Sequence, residues 1–323
     1  MTITFKSFLS LRLEEYVNYR KTLGFKEKSL KSYLKKFDRY LLSVAPQIDL
    51  PPAFFLEFRK NINGSPRTVN NILSAVRGFY NYLVRCEHVV QNPLRDIPPY
   101  KENAFIPFIF SGKETKDLLH AVLKRIRRDK KYFLNDMMVY TAIMLLARCG
   151  MRISEPLRLH LKHYRRHEAT IYIEKTKFYK DRLIPVPRAV LDELNNYLAV
   201  RKTLFCDDNA YLFPGKAGKR ISTNRIYPVF HQAVENIGIT EPARIVDNMR
   251  FGAPRPHSLR HSFAVNTLKR IKDKGKSPQQ ALPVLSVYMG HSKYRYTAVY
   301  LKLTDAKHRR HLVDFTISRQ EEL

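Results

Sequence analysis

Acidic side chains are the scarce ones. Against 58 Lys+Arg stand only 29 Asp+Glu, a formal net charge of +29 at pH 7 over 323 residues. The excess is not a tail: residues 1–100 carry 16 basic and 8 acidic residues, and the remaining 223 carry 42 and 21. That even density excludes a neutral enzyme with a basic appendage. Cysteine is scarce too. The three present, Cys86, Cys149 and Cys206, are odd in number and far apart, which excludes a disulfide framework or a paired zinc motif and fits a reducing cytoplasm. No uncharged apolar run approaches the ~18 residues of a membrane span. The opening MTITFKSFLSLRLEEY meets charge too early for a secretion signal. Internal repeats and low-complexity tracts are missing as well. A soluble cytoplasmic protein with no membrane attachment is expected, its basic charge spread too widely for one membrane-surface helix. Such a surface repels itself, and attraction to a polyanion is the benefit that offsets this; the bland alternative is a merely soluble basic protein.

What is present is a chain able to build a core, with 44% hydrophobic and 12% aromatic residues, and length for one large domain or two ordinary ones. Asn92-Pro93 ends a helical pattern, and IPPYKENAFIPF (97–108) has three prolines and no helical period, so it reads as an extended linker. The organisation expected is a helical domain over 1–97, a linker over 98–108 and a second domain over 109–323. In the first, Leu30, Tyr33, Leu34, Phe37 and Leu41 recur at helical spacing, as do Val69, Ile72, Leu73, Val76, Phe79, Tyr80 and Leu83; both stripes suit the core of a helical bundle. Lys31, Lys35, Arg67 and Arg77 lie between the stripes, on a face that is either solvated or phosphate-binding; the basic excess favours the second. In the second domain, ATIYIEK (169–175) and DRLIPVP (181–187) alternate like a hairpin among helical patterns near 113–128, 132–148, 187–200, 222–237, 257–272, 277–287 and 304–315. The fold class is mainly α with a small antiparallel sheet, α+β. EPARIVDNMRFGAPRP (241–256) reads as a loop insertion with a chance of touching the ligand.

Three short segments carry reactive residue types. ARCGMRISEPLRL (147–159) sets Arg152 after a Gly150 break, at the start of what reads as a short helix, where free N–H groups favour phosphate. RPHSLRHSFAVNTLKR (255–270) puts His257 and Arg260 at i and i+3, on one helical face. A phosphodiester needs its free oxygens held by cations, with a proton donor or acceptor beside them. A metal reading would pair His257 with His261, but no carboxylate or thiol ligand accompanies them. MGHSKYRYTAVYLKL (289–303) holds His291 and, nine residues on, Tyr300; Tyr288, Tyr294 and Tyr296 crowd the same stretch and show how easily an aromatic here is core.

Taken together, G-x-R-x-S-E, then H-x-L-R-H, then G-H-S with a tyrosine nine residues on resemble the tyrosine recombinase, or phage integrase, family in order and spacing. TKFYKDRLIPVP (176–187) resembles that family's β-hairpin, in which a lysine precedes an R-x-[VI]-P strand; the alignment picks Lys177 over Lys175 and Lys180. SPRTVNNILSAVRGFYNYL (65–83) resembles its helical core-binding domain. Nearly the whole chain is covered.

The resemblance implies a site-specific DNA recombinase that cuts and rejoins strands through a covalent 3′-phosphotyrosine. It implies Tyr300 as nucleophile, Arg152 and Arg260 as the phosphate clamp, and His257 as general acid/base. Lys177 would protonate the departing 5′ oxygen, His291 would hydrogen-bond the phosphate where other members carry tryptophan, and Glu155 would support the site. It further implies a tetramer on two paired double-stranded DNA sites, open to accessory proteins, with a C-terminal helix (305–315) that docks on a neighbouring subunit. No cofactor and no metal are expected. The chemistry agrees: a phenol of pKa about 10 is ionised only to about one part in a thousand at neutral pH, so the attack needs electrostatic help, which paired guanidiniums supply to a phosphorane. The kept phosphoester lets another strand's 5′-OH religate without ATP. The rival readings are a type IB topoisomerase-like enzyme, a non-catalytic DNA-binding protein of the same fold, and a basic RNA-binding protein.

Overall fold

The computed structural model describes residues 5–44, 50–174, 181–204, 208–215, 217–246, 249–291 and 293–303. The chain divides into two compact units, residues 1–103 and 104–323. The expected C-terminal helix and the three candidate hairpin lysines lie outside the described residues.

The first unit holds four helices among its described residues: α1 (Ser10–Thr22), α2 (Glu27–Ser43), α3 (Pro52–Asn61) and α4 (Pro66–Arg85). Ser65 caps α4, accepting from the Thr68 backbone N–H at 3.4 Å, and Pro66 follows in the first turn, where its missing N–H costs nothing. All seven apolar residues of the α4 stripe are buried; in α2 Leu34, Phe37 and Leu41 are buried, with Leu30 and Tyr33 packed at the margin. The aromatic centre is built from tilted and edge-to-face pairs such as Phe37–Phe58 at 5.3 Å and Phe55–Tyr80 at 5.3 Å, the arrangement ring quadrupoles favour.

Polar side chains stitch the unit's ends to this core. Buried Asp38 accepts from the backbone N–H groups of Lys6 and Ser7 at 3.0 and 2.9 Å. Arg77 donates to the carbonyls of Leu94 (3.1 Å) and Ile97 (2.7 Å), and Asn70 exchanges two hydrogen bonds with the Tyr100 backbone at 2.8 Å. The proline-rich stretch beyond Asn92 is therefore strapped to α4 as far as Tyr100. Its later part, Ala104–Ile106, is strand β1 of the second unit, and Phe108 and Phe110 enter that unit's core.

The second unit is organised around α6 (Lys130–Cys149), which packs against α5 (Gly112–Lys124), α7 (Arg188–Leu204), α8 (Thr223–Asn236) and α9 (Pro256–Asp273). α6 is buried on nearly every side from Met138 to Cys149, as an all-round apolar helix must be. A sheet of β2 (Tyr164–Arg165), β3 (Thr170–Ile173) and β4 (Arg182–Pro185) runs antiparallel, with Ile173 opposite Arg182. The insertion at 241–256 is not a plain loop: β5 (Arg244–Val246) and β6 (Met249–Phe251) form a hairpin, and β6 also pairs in parallel with β1. That pairing draws on a strand far away in the chain, which no local pattern announces. α10 (Pro278–Met289) and the short α11 (Arg295–Ala298) follow α9. Among the described residues no helix is long and apolar enough to cross a membrane.

Candidate active site

Two left-handed glycines set the frame. Gly150 (φ +58°) ends α6 and Gly290 (φ +62°) ends α10, a conformation glycine adopts without the Cβ penalty. Space adds to this: a Cβ on Gly150 would clash with Cδ1 of Phe263 at 2.4 Å, and one on Gly290 would lie 2.9 Å from a guanidinium nitrogen of Arg182 and push it aside.

From Gly150 the chain turns through Arg152 to Glu155. The expected short helix is only a turn followed by a single 3-10 turn, Pro156–Arg158, because Pro156 lacks the N–H that would continue the ladder. Arg152 therefore owes its placement to Glu155 and not to a helix N-terminus. The Glu155 carboxylate accepts from the Arg152 backbone N–H (2.8 Å) and guanidinium (2.8 Å), and from both terminal nitrogens of Arg182 at 3.1 and 2.8 Å. Burial alone would raise this carboxyl; the hydrogen bonds and charge of Arg182, the Arg152 backbone and Arg260 outweigh it and hold it below the usual range.

Three guanidiniums then grip consecutive carbonyls at the end of α10. Arg182 Nε donates to Tyr288 O (2.7 Å), Arg260 to Met289 O, and Arg152 to Gly290 O (2.7 Å). Arg260 also donates to Gly150 O (2.7 Å) and is 1% exposed. Burial and the neighbouring Arg152 charge pull it down to about 9, still cationic at neutral pH.

His257 stands on the first turn of α9, exposed, one turn before Arg260. Although one edge of the residue is open to solvent, the protein packed around the ring, then the charges of Arg260 and Arg152, lower it to about 4. His291 is half-buried after Gly290, with Nδ1 2.8 Å from Oγ1 of the fully buried Thr297; burial and the same arginines lower it to about 3. Tyr300 is 4% exposed, whereas Tyr294 and Tyr296 are about half exposed. Burial pushes the Tyr300 phenol up to about 12 against the opposing pull of Arg260 and Arg152. Its hydroxyl lies 2.9 Å from Nδ1 of His261.

Five residues singled out in the sequence, Arg152, His257, Arg260, His291 and Tyr300, thus come together with Glu155 in one unit. Lys177 falls outside the described residues. In the first unit Arg67 is exposed, Lys35 is half-buried and Lys31 pairs with Glu27 at 3.1 Å, while Arg77 is engaged by the carbonyls named above. Two participants were missed. Arg182 begins the R-x-[VI]-P strand, but nothing local tells that it turns inward to Glu155. His261 was weighed only as half of a metal pair; among the described residues no group of three His, Cys, Asp or Glu could hold a metal.

The arrangement sets paired cations, neutral imidazoles and a shielded phenol together, a set suited to stabilising a phosphorane and attacking it. The family model for the phage integrase family matches residues 111–307. A protein of Sinorhizobium fredii named as an integrase or recombinase, y4rB, is 29% identical over 90% of this chain and 91% of its own. A tyrosine recombinase of Thermosipho africanus is 26% identical over 86% and 90%. Among solved structures, the XerH site-specific recombinase bound to a palindromic difH substrate has a TM-score of 0.67 at 19% identity, over 93% of this chain and 83% of that one. A lambda integrase dimer on a COC′ core site reaches 0.67 at 16%, over 95% and 79%. With its motifs, fold and family model in agreement, the chain belongs to the phage integrase family, the tyrosine recombinases.

Proposed function

We infer that this chain is a site-specific DNA recombinase that cuts and rejoins strands through a 3′-phosphotyrosine on Tyr300. The observation that carries the reading is that Arg152, His257, Arg260 and His291 are gathered in one unit with a buried tyrosine whose phenol lies in the field of Arg260 and Arg152. Arg152 and Arg260 take the two free oxygens of the scissile phosphate and hold the charge of the phosphorane. His257 and His291, neutral at working pH, exchange or donate a hydrogen bond at those oxygens. Lys177 protonates the departing 5′ oxygen. Glu155, touching no substrate, fixes the angle of Arg152. Keeping the phosphoester conserves its energy for the religating 5′-OH.

Double-stranded DNA is the partner, met by the catalytic unit and by a helical core-binding unit (1–97), with Lys31, Lys35 and Arg67 on its phosphate-facing side. The assembly is a tetramer on two paired sites, the protein being cytoplasmic and nucleoid-associated when bound. A groove of 1420 Å³ whose lining includes Leu119, Met144, Phe263, Val284 and Leu285 suits the apolar residues of the 305–315 segment of a neighbouring copy.

The test uses suicide substrates nicked near the cleavage point, drawn from DNA flanking the gene, without divalent metal. A slow-migrating protein–DNA band on a denaturing gel in wild type, lost in Tyr300→Phe, is expected. A band that survives Tyr300→Phe moves the nucleophile to Tyr294 or Tyr296 and overturns the assignment.

A further inference from the structure

Tyr300 needs somewhere to send its proton. At 4% exposure the hydroxyl has little access to bulk water, and a phenol raised to about 12 by burial does not ionise by itself at neutral pH. The imidazole in contact with it is neither His257 nor His291. The Nδ1 of His291 is occupied by the Thr297 hydroxyl at 2.8 Å, and its ring centroid is 6.1 Å from that of Tyr300. The His257 ring packs perpendicular to the His261 ring, with centroids 4.7 Å apart. His261, one helical turn after His257 on α9, has Nδ1 2.9 Å from Tyr300 Oη.

We propose that His261 is a catalytic residue of this centre: its Nδ1 holds the Tyr300 hydroxyl hydrogen in the resting enzyme and takes that proton when the tyrosine attacks. The proposal rests on Tyr300 being the nucleophile. With the hydrogen committed to His261, the oxygen's lone pairs are what remains to meet phosphorus. Burial first, then the titratable and cationic groups facing the ring (His257 and Arg260 on its own helix, His291 just after α10), keep His261 neutral down to about pH 3. With the proton of the neutral ring on Nε2, Nδ1 is an acceptor throughout the working range. A phosphodiester anion entering between Arg152 and Arg260 opposes those cations and makes the ring more basic at the moment of need.

The step balances. The Tyr300 Oη–P bond forms as the P–O5′ bond breaks. The phenolic proton passes to His261 Nδ1, and the departing 5′ oxygen takes a proton from the donor assigned to Lys177. In religation the incoming 5′-OH gives its proton to that donor, and the tyrosine oxygen recovers its own from His261.

The experiment measures single-turnover cleavage of the suicide substrate by His261→Asn and His261→Gln, with DNA affinity measured beside it. An amide oxygen can accept the hydroxyl hydrogen but cannot carry the proton away, so both variants bind DNA normally and cleave about 10²–10⁴-fold more slowly. Their rate should then climb with pH toward the phenol's own ionisation, more steeply than in wild type. Replacing Tyr300 by a more acidic fluorotyrosine should restore the variants far more than it speeds wild type, a result that a merely structural His261 would not give. Wild-type cleavage by either variant, or fluorotyrosine that fails to restore DNA-bound variant, overturns the proposal. Where a variant does not fold, the ¹⁵N spectrum of His261 in the wild-type chain decides: an Nδ1 found protonated cannot accept from Tyr300 and also overturns it. Tyr300→Phe separates the layers, because a covalent band surviving that change defeats the nucleophile assignment instead.

Discussion

Replacing Glu155 with Gln removes one negative charge from among three guanidiniums while leaving the shape almost unchanged. The carboxylate accepts four hydrogen bonds, two from Arg152 and two from Arg182. Glutamine offers one oxygen, and its NH₂ would face guanidinium donors, so at least one contact becomes donor against donor. The charge is also buried: the side chains of Glu155 and Arg182 are each 7% exposed. Breaking a buried pair by neutralising one partner costs about 3–5 kcal/mol, since the other charge stays behind uncompensated. For a unit of this size each kcal/mol moves the melting temperature by roughly 2–4 °C, which puts the expected drop at about 6–20 °C. Calorimetry of wild type and Glu155→Gln at pH 7.5 reads it, the cleavage rate falling as Arg152 loses its anchor. A melting temperature within about 2 °C of wild type would refute the reasoning and mean that water or relaxation already screens the pair.

Acid should weaken the same region. His261 and His291 sit at about 3 when folded against about 6.5 unfolded, so the unfolded chain binds protons the folded one refuses. The stability is intact above about pH 6.5 and lost below it, by roughly 2 kcal/mol per ring at about pH 5; Glu155 adds to the loss at still lower pH as it protonates. Urea titrations at about pH 7.5 and 5 test this, and equal free energies would show that the rings are solvated. Gly150→Ala combines about 1–2 kcal/mol of left-handed strain with about 1–3 kcal/mol of overpacking against Phe263. A thermal melt unchanged by that substitution would mean the turn adopts another path.

The parts of this site legible in the sequence are those written within single helical turns or turn motifs: His257 with Arg260, Gly150 with Arg152, and Gly290 with His291. The family resemblance joined them, and with them the helical bundle and the β3–β4 hairpin. What escaped depends on distant partners. Arg182 reads as an ordinary basic residue at a strand start, and only the fold turns it into the second ligand of Glu155. His261 shares a motif with two reactive residues, yet its role rests on Tyr300, 39 residues away. The β1–β6 pairing sets Ala104 beside Met249, far apart in the chain, and neither strand alone is long enough to declare itself. Arg77 looks like a cation awaiting an anion; in place, it is a clasp on the chain leaving α4.

The end of α10 carries a consequence for how inactive variants are to be judged. Because Tyr288, Met289 and Gly290 each surrender a carbonyl to a different arginine, the two arginines assigned to the phosphate, Arg152 and Arg260, are also rivets between the ends of α6 and α10 and α9, with Arg182 adding β4. An alanine at Arg152 or Arg260 removes a charge and loosens a joint at the same time, and a dead enzyme alone does not tell which. Lysine at the same positions keeps the charge but not the planar fork. The contrast between those two replacements separates the chemical duty of each arginine from its mechanical one.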